Sequence, residues 1–169
     1  MPAETLCQGE HDALVNRLLA AASDAISEVP YCWVVTAAGD GGANARAVKA
    51  FPNDAGEDLW TRWFLTNRAG RKATEISRAG RVTLAYQHQS GNAYVALAGP
   101  AELIGEPAAV ESRLRQVYDP EGALAGRLVA VRVTGNHLEL HIRGMTAEPW
   151  GHGRTLLDRT PNGSWQLSS

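Results

Sequence analysis

Apolar positions recur three and four apart from His11 to Ile26. Leu14, Leu18 and Ala22 share one face, with Val15, Leu19 and Ile26 beside them. That period predicts an amphipathic helix over about residues 11–28, ended by Pro30. Beyond Pro30 the period shortens. Tyr31–Ala37 is rich in aromatic and β-branched residues and runs into Ala38-Gly39-Asp40-Gly41-Gly42, the composition of a hairpin turn. Asn44–Phe51 returns as a second strand, Pro52-Asn53-Asp54-Ala55-Gly56 forms a loop, and Leu59–Thr66 is a third strand carrying Trp60, Trp63 and Phe64. Asn67 is placed to cap a short helix over about Arg68–Ser77, with Gly80 as its left-handed exit. Arg81–His88 alternates, with Val82, Leu84 and Tyr86 on one side and Arg81, Thr83 and Gln87 on the other. Gln89-Ser90-Gly91-Asn92 turns the chain into Ala93–Ile104. Pro107 opens a third helix that buries Val110, Leu114, Val117 and Tyr118, and Pro120 closes it. Arg127–Thr134 and His137–Arg143 are strands joined at Gly135-Asn136. The tail beyond Gly144, with Trp150, is less regular, apart from a short pair across Pro161-Asn162-Gly163.

Six or so strands in hairpin succession, with short peripheral helices, predict an α+β fold built on an antiparallel Greek-key split β-barrel. The strand–helix alternation of a doubly wound parallel sheet is missing. We read residues 1–169 as a single domain: helix about 11–28, barrel about 31–143, irregular tail 144–169. The chain has 16 Lys+Arg against 18 Asp+Glu, a net charge of -2. That balance offers no electrostatic footprint for nucleic acid or an anionic membrane. Two cysteines, Cys7 and Cys32, make no disulfide framework and read as thiols of a reducing compartment. Acidic residues at Glu4, Glu10 and Asp12 argue against a signal peptide, and no apolar run approaches the roughly 18 residues of a membrane span. A cytoplasmic protein is expected.

Several constellations reduce to structure. His137 and His141 are four apart, which on a strand spans roughly 13 Å, too far for one ion. With Glu139 they form a solvent-facing row opposite Leu138, Leu140 and Ile142; His11, His88 and His152 have no ligand spacing. No metal site is expected. Gly39–Gly42 precedes neither a helix nor a Lys-Ser/Thr pair, so it is a turn and not a phosphate loop. No Ser/His/Asp or Cys/His catalytic signature is present, and the catalytic residues stay unknown.

Three cations are more informative. Arg46 lies between small apolar neighbours on its strand, a pattern that buries it, while Arg71 and Lys72 fall in the first turn of the short helix. Cations oppose the dipole at that end, and a bound phosphate would resolve the conflict, with backbone N–H groups, the Thr66 hydroxyl, guanidinium and ammonium converging on it. Solvated surface charges explain the same pattern, and spacing alone leaves both readings open.

Arg46-Ala47-Val48-Lys49, Trp63-Phe64-Leu65-Thr66-Asn67-Arg68-Ala69-Gly70-Arg71-Lys72, Val82-Thr83-Leu84-Ala85-Tyr86 and Tyr94-Val95-Ala96-Leu97-Ala98-Gly99-Pro100-Ala101-Glu102-Leu103 occur in this order. Together, over roughly Tyr31–Leu103, they resemble the pyridoxamine 5′-phosphate oxidase-like superfamily of FMN-binding split barrels. The resemblance implies a homodimer with flavin at the subunit interface. It implies that Arg46 and Lys72, with Arg71 beside them, hold the FMN phosphate, and that the backbone at Ala47 and Val48 meets the isoalloxazine and ribityl chain. Leu65 and Thr66 would add backbone and hydroxyl contacts, and Tyr94 would stack on the flavin or donate its hydroxyl. The oxidases themselves end in an Arg-x-His-Asp-Arg element whose first Arg and His contact substrate. Here Thr155-Leu156-Leu157-Asp158-Arg159 stands in that place, with Thr155 and Leu157 at the two contact positions. Leucine offers no hydrogen bond. The implied function is therefore an FMN-dependent oxidoreductase of unassigned substrate, similar to the general-stress-protein branch and not a true pyridoxamine phosphate oxidase. The alternative is a non-catalytic module holding flavin, haem or a deazaflavin.

Overall fold

A computed structural model of the chain describes residues 3–117, 124–146 and 154–168. The elements in order are α1 (Ala3–Ser27), β1 (Tyr31–Ala37), β2 (Ala43–Lys49), β3 (Thr61–Asn67), α2 (Arg71–Ala79), β4 (Arg81–His88), β5 (Ala93–Ile104), α3 (Pro107–Leu114), a 3-10 turn (Ala125–Arg127), β6 (Leu128–Thr134), β7 (His137–Ile142), β8 (Thr155–Arg159) and β9 (Trp165–Leu167). The antiparallel α+β class holds. Nine strands form among the described residues, more than the six or so assigned to the barrel: seven correspond to the strands read along the chain, and the short pair across Pro161-Asn162-Gly163 is the β8–β9 hairpin. Tyr118 and Pro120 of the expected third helix, Trp150 and His152 of the tail, and the side chain of Cys7 lie outside the described residues.

The chain forms two compact units. One contains residues 30–85 and 98–135. Here β1 lies between β2 and β4, with Trp33 opposite Ala47 on one side and Ala85 on the other. β3 pairs along its whole length with β6, which also pairs with the end of β5. Ala50 still donates to the Pro30 carbonyl (3.2 Å), whereas Phe51 exchanges both backbone hydrogen bonds with Trp63 of β3 (2.8 and 3.1 Å). The second strand thus stops at Lys49, two residues short of the alternation, because Phe51 changes partner. A small core of Phe51, Trp63, Val110 and Ala130 fills the space under α3. Gly99 permits a close backbone approach, since a Cβ there would sit 1.9 Å from the Thr134 carbonyl oxygen.

The other unit contains residues 1–29, 86–97 and 136–169. In it β5, β7, β8 and β9 lie in that order, and α1 packs on β7 and β9. The helix begins at Ala3, earlier than the apolar stripe, because residues 3–10 contain no proline and are mostly good helix formers. Its buried stripe is Val15, Leu18, Ala22, Ala25 and Ile26, rotated slightly from the Leu14-centred face that spacing alone picks out. Leu138, Leu140 and Ile142 are buried, as the parity argument requires. The opposite row is half-buried and paired: His137 Nδ1 is 2.5 Å from Asp158, Glu139 is 3.4 Å from Arg154, and the His141 ring packs on Tyr94.

Candidate functional site

The short second helix starts three residues later than expected. Asn67 does not cap it; its side-chain oxygen accepts the Ala69 N–H (2.9 Å), an Asx turn that delays the first helical residue to Arg71. Gly70 takes the cap position with no side-chain hydrogen bond, and the first turn carries no acid. At the far end Gly80 adopts φ 65° and its N–H bonds the Ile76 carbonyl, the exit anticipated from sequence. Arg71 and Lys72 are therefore the first two helical residues, at the end where the dipole favours anions.

That helix start faces the β1–β2 hairpin across a polar cleft of about 390 Å³, lined by Thr36, Asn44, Arg46, Ala47, Gly70, Arg71, Lys72 and Glu75. Arg46 is exposed and not buried, contrary to the strand pattern: it shares a face of β2 with Asn44 and the buried Val48, but there it borders the cleft, and its guanidinium donates to the adjacent Ala45 carbonyl (2.8 Å). Lys72 is half-buried, with its ammonium 5.7 Å from the centroid of the Phe64 ring. Burial holds the Lys72 pKa below the usual lysine value, the Arg46 charge lowers it further, and Cys32 opposes them. Arg71 is 62% exposed and 3.6 Å from Glu75. Neither Arg46 nor Lys72 has a carboxylate within salt-bridge distance among the described residues.

A second cleft of about 330 Å³ adjoins the first, sharing Ala47 and Lys72 with it. Its walls are mostly apolar: Val48, Phe51, Leu65, Leu114, Val117, Leu124 and Leu128, with Thr66 and Asn67 at the polar end. Seven of the eight residues singled out from sequence line the two clefts. Tyr94 does not; it stands 43% exposed in the other unit, 5.9 Å from the ring of His141. Sequence reasoning missed Thr36, Asn44 and Glu75, and the apolar wall of Leu114, Val117, Leu124 and Leu128. Glu75 carried one signal, its position four residues after Arg71 on the helix. No group of three or more metal-ligating side chains occurs among the described residues.

The donor set suits FMN. Arg46, Arg71 and Lys72 together with an uncapped helix start suit a phosphate, and the adjoining apolar cleft suits a ring system. The element aligned with the substrate-contacting Arg-x-His is differently built. Leu157 is fully buried opposite Leu138, Thr155 is half-buried, and Arg154 points outward to Glu139.

Among solved structures, an FMN-binding protein related to pyridoxamine 5′-phosphate oxidase from Nostoc punctiforme PCC 73102 superposes with a TM-score of 0.67 at 15% identity, covering 89% of this chain and 93% of that one. A Clostridium acetobutylicum protein related to general stress protein 26 gives 0.67 at 16% identity, over 84% and 94%. PhzG from Burkholderia lata 383, in complex with tetrahydrophenazine-1-carboxylic acid, gives 0.60 at 18% identity, over 92% and 89%. At these identities the likeness establishes the fold. No curated protein sequence matches the chain. The family model described as pyridoxamine 5′-phosphate oxidase matches residues 18–142, which include both clefts and stop before β8. With that match over most of its length, the chain belongs to the pyridoxamine 5′-phosphate oxidase family.

Proposed function

We propose that this protein binds FMN and is an FMN-dependent oxidoreductase whose substrate is not pyridoxamine phosphate. One observation carries the reading: two cations without a carboxylate partner and an uncapped helix start line one cleft, beside a second cleft of apolar character. Arg46, Arg71 and Lys72 would hold the phosphate, whose charge of about -2 matches two or three cations. Ala47, Val48 and Leu65 would border the ring, with the Thr66 hydroxyl as a polar contact. Bound FMN supplies hydride or electron transfer at its isoalloxazine; the chain supplies binding, orientation and a dry wall. The FMN-binding neighbour from Nostoc supports the cofactor. Leucine in place of the histidine that the resemblance implies, buried opposite Leu138 and Leu167, supports a different substrate.

The same reading makes the protein a homodimer, as expected from the family resemblance. Tyr31 and Trp33 project from β1 at 61% and 51% exposure, and Trp33 is in register with Ala47, which lines both clefts. A second copy seated on that face would lie beside the site. The test is the absorbance spectrum and released-ligand mass of the purified full chain. Flavin bands with FMN by mass support the reading, whereas haem, a deazaflavin or a colourless protein that ignores added FMN refutes it. Consumption of a reduced nicotinamide cofactor with an added acceptor separates an enzyme from a flavin-holding module. Sedimentation of the Trp33→Glu chain tests the dimer face, which predicts a monomer.

A further inference from the structure

We infer that Glu75 is an internal counter-charge, a positioning residue that lets Arg46, Arg71 and Lys72 converge on the polar cleft before an anion arrives, and that Arg71 is the cation it releases to the ligand. The second half rests on the phosphate reading above; the first does not.

Glu75 is 5% exposed and, among the described residues, is the one acid lining that cleft. Both of its oxygens already hold short bonds from neutral donors: Thr36 Oγ1 donates to Oε2 at 2.5 Å and Asn44 Nδ2 to Oε1 at 2.7 Å. These bonds tie α2 to β1 and β2. The Thr36 hydroxyl is foremost in holding the carboxyl below its usual pKa; burial opposes it, and Asn44, Arg71 and Arg78 add to it. Arg71 Nε, by contrast, stands 3.6 Å from Oε1, outside hydrogen-bond reach. Arg71 can therefore turn away without leaving a buried carboxylate unsolvated.

Helix energetics alone do not explain the arrangement. A cation at the helix start with its acid four residues later is the poorer orientation of an i,i+4 pair, and it sets Arg71 and Lys72 against the dipole. What the order achieves is placement: the acid lies beneath, on the sheet side, and the exposed guanidinium lies at the mouth of the cleft. Three cations there sum with Glu75 to a net charge of +2, which complements a phosphate dianion.

The experiment compares melting midpoints of four full-length chains: the parent, Glu75→Gln, Arg71→Gln and the double variant. None receives added flavin or phosphate. Glutamine keeps an oxygen acceptor and the side-chain shape while removing the charge. In about 0.01 M NaCl, where screening reaches roughly 30 Å, Glu75→Gln should melt at least about 3 °C below the parent. Adding Arg71→Gln should recover most of that loss, as should about 1 M NaCl, where the Debye length is near 3 Å. A Glu75→Gln chain as stable as the parent overturns the inference. So does a loss that neither Arg71→Gln nor salt recovers, since a purely structural hydrogen-bond acceptor would behave that way. Inorganic phosphate should raise the midpoint of Glu75→Gln more than that of the parent. If phosphate moves neither chain while Arg71→Gln still rescues, the phosphate reading fails and the counter-charge stands.

Discussion

The guanidinium of Arg113 lies 3.7 Å from the centre of the Trp63 ring, inside a core where Arg113 is only 2% exposed. Three further contacts fix it. Arg113 donates to Asp54 at 2.7 Å and to the Ala109 carbonyl at 2.9 Å, while the Trp63 indole N–H donates to Glu57 at 2.8 Å. One buried cation thus fastens α3 to β3 and to the loop that follows β2. The next residue, Leu114, is a wall of the apolar cleft.

Replacing Arg113 should therefore damage both stability and the site. In Arg113→Met the ring loses its nearer cation, Arg132 remaining at 5.9 Å, and Asp54 loses its salt-bridge partner, although Asp54 is more than half exposed and can be solvated. We expect a loss of about 2–3 kcal/mol, on the order of 5–10 °C in a thermal melt. Flavin affinity should weaken as well, because Leu114 and Val117 lose their anchor. A midpoint unchanged within about 1 °C would show that the contacts contribute nothing net.

Removing the two cations that have no carboxylate partner among the described residues should damage the site and leave stability intact. Arg46→Gln and Lys72→Gln each delete a charge-assisted contact to the proposed phosphate, an expected loss of about 10- to 100-fold in FMN affinity by fluorescence titration. The flavin-free fold should not suffer. Lys72 is held below the usual lysine value of 10.5 by burial and by Arg46, so the fold disfavours its charged form. Between the depressed folded value and 10.5 the unfolded chain binds more protons, so stability rises with pH across that interval. In Lys72→Gln this rise should be absent. A parent chain whose midpoint is flat over the same interval contradicts the placement of Lys72.

How far these relations were legible in the sequence depends on their range. Period-2 alternation found β1, β4 and β5 within a residue, because each buries one face and its register follows from that. The cleft-lining cations were found because the family resemblance singles out Arg46, Arg71 and Lys72, whose spacing alone fits solvated surface charges equally. The Asx turn at Asn67 was misread as a cap, since the same residue type serves both and only the backbone decides. Arg46 was misread as buried because its face of β2, which does bury Val48, opens into a cleft at Arg46, and a cleft leaves no mark on strand alternation. Glu75 carried only its spacing from Arg71, and neither its bonds to Thr36 and Asn44 nor the Arg113–Trp63 contact was legible. Their partners are 31 to 59 residues away, joined by strand pairings that no local pattern records.

Asp158 provides an acid-side test in the other unit. Its carboxylate accepts from the Ser168 hydroxyl and from His137, in that order of weight, which holds it below the ordinary aspartate value of 3.8 against an opposing effect of burial. A depressed carboxylate stabilises the fold fully above its unfolded pKa, and that contribution is lost as pH falls through the lower folded value. Stability of the parent should thus decline as pH drops below about 4, and the decline should be shallower in Asp158→Asn. Since Asp158 is about half exposed, solvent screening keeps the effect small, and the comparison belongs at low salt. Identical acid limbs for the two chains would remove the pair from the account.

Leu157 is one of the two residues, with Thr155, that stand at the substrate-contact positions implied by the resemblance. Leu157 is fully buried between Leu138 and Leu167, its cross-strand neighbours on β7 and β9. Leu157→His restores the family residue type, and two outcomes compete. If the position still faced a ligand, histidine would add a hydrogen-bonding group and oxidation of pyridoxamine phosphate would appear. The packing argues otherwise: an imidazole in this apolar layer has no partner, and the leucine methyl groups it replaces leave a void. We expect a loss of about 2–5 kcal/mol, read as a large fall in melting midpoint, and no oxidation of pyridoxamine phosphate. A variant that keeps its stability and turns over that substrate would mean β8 can present residue 157 to a ligand, and the argument for a different substrate would fail with it.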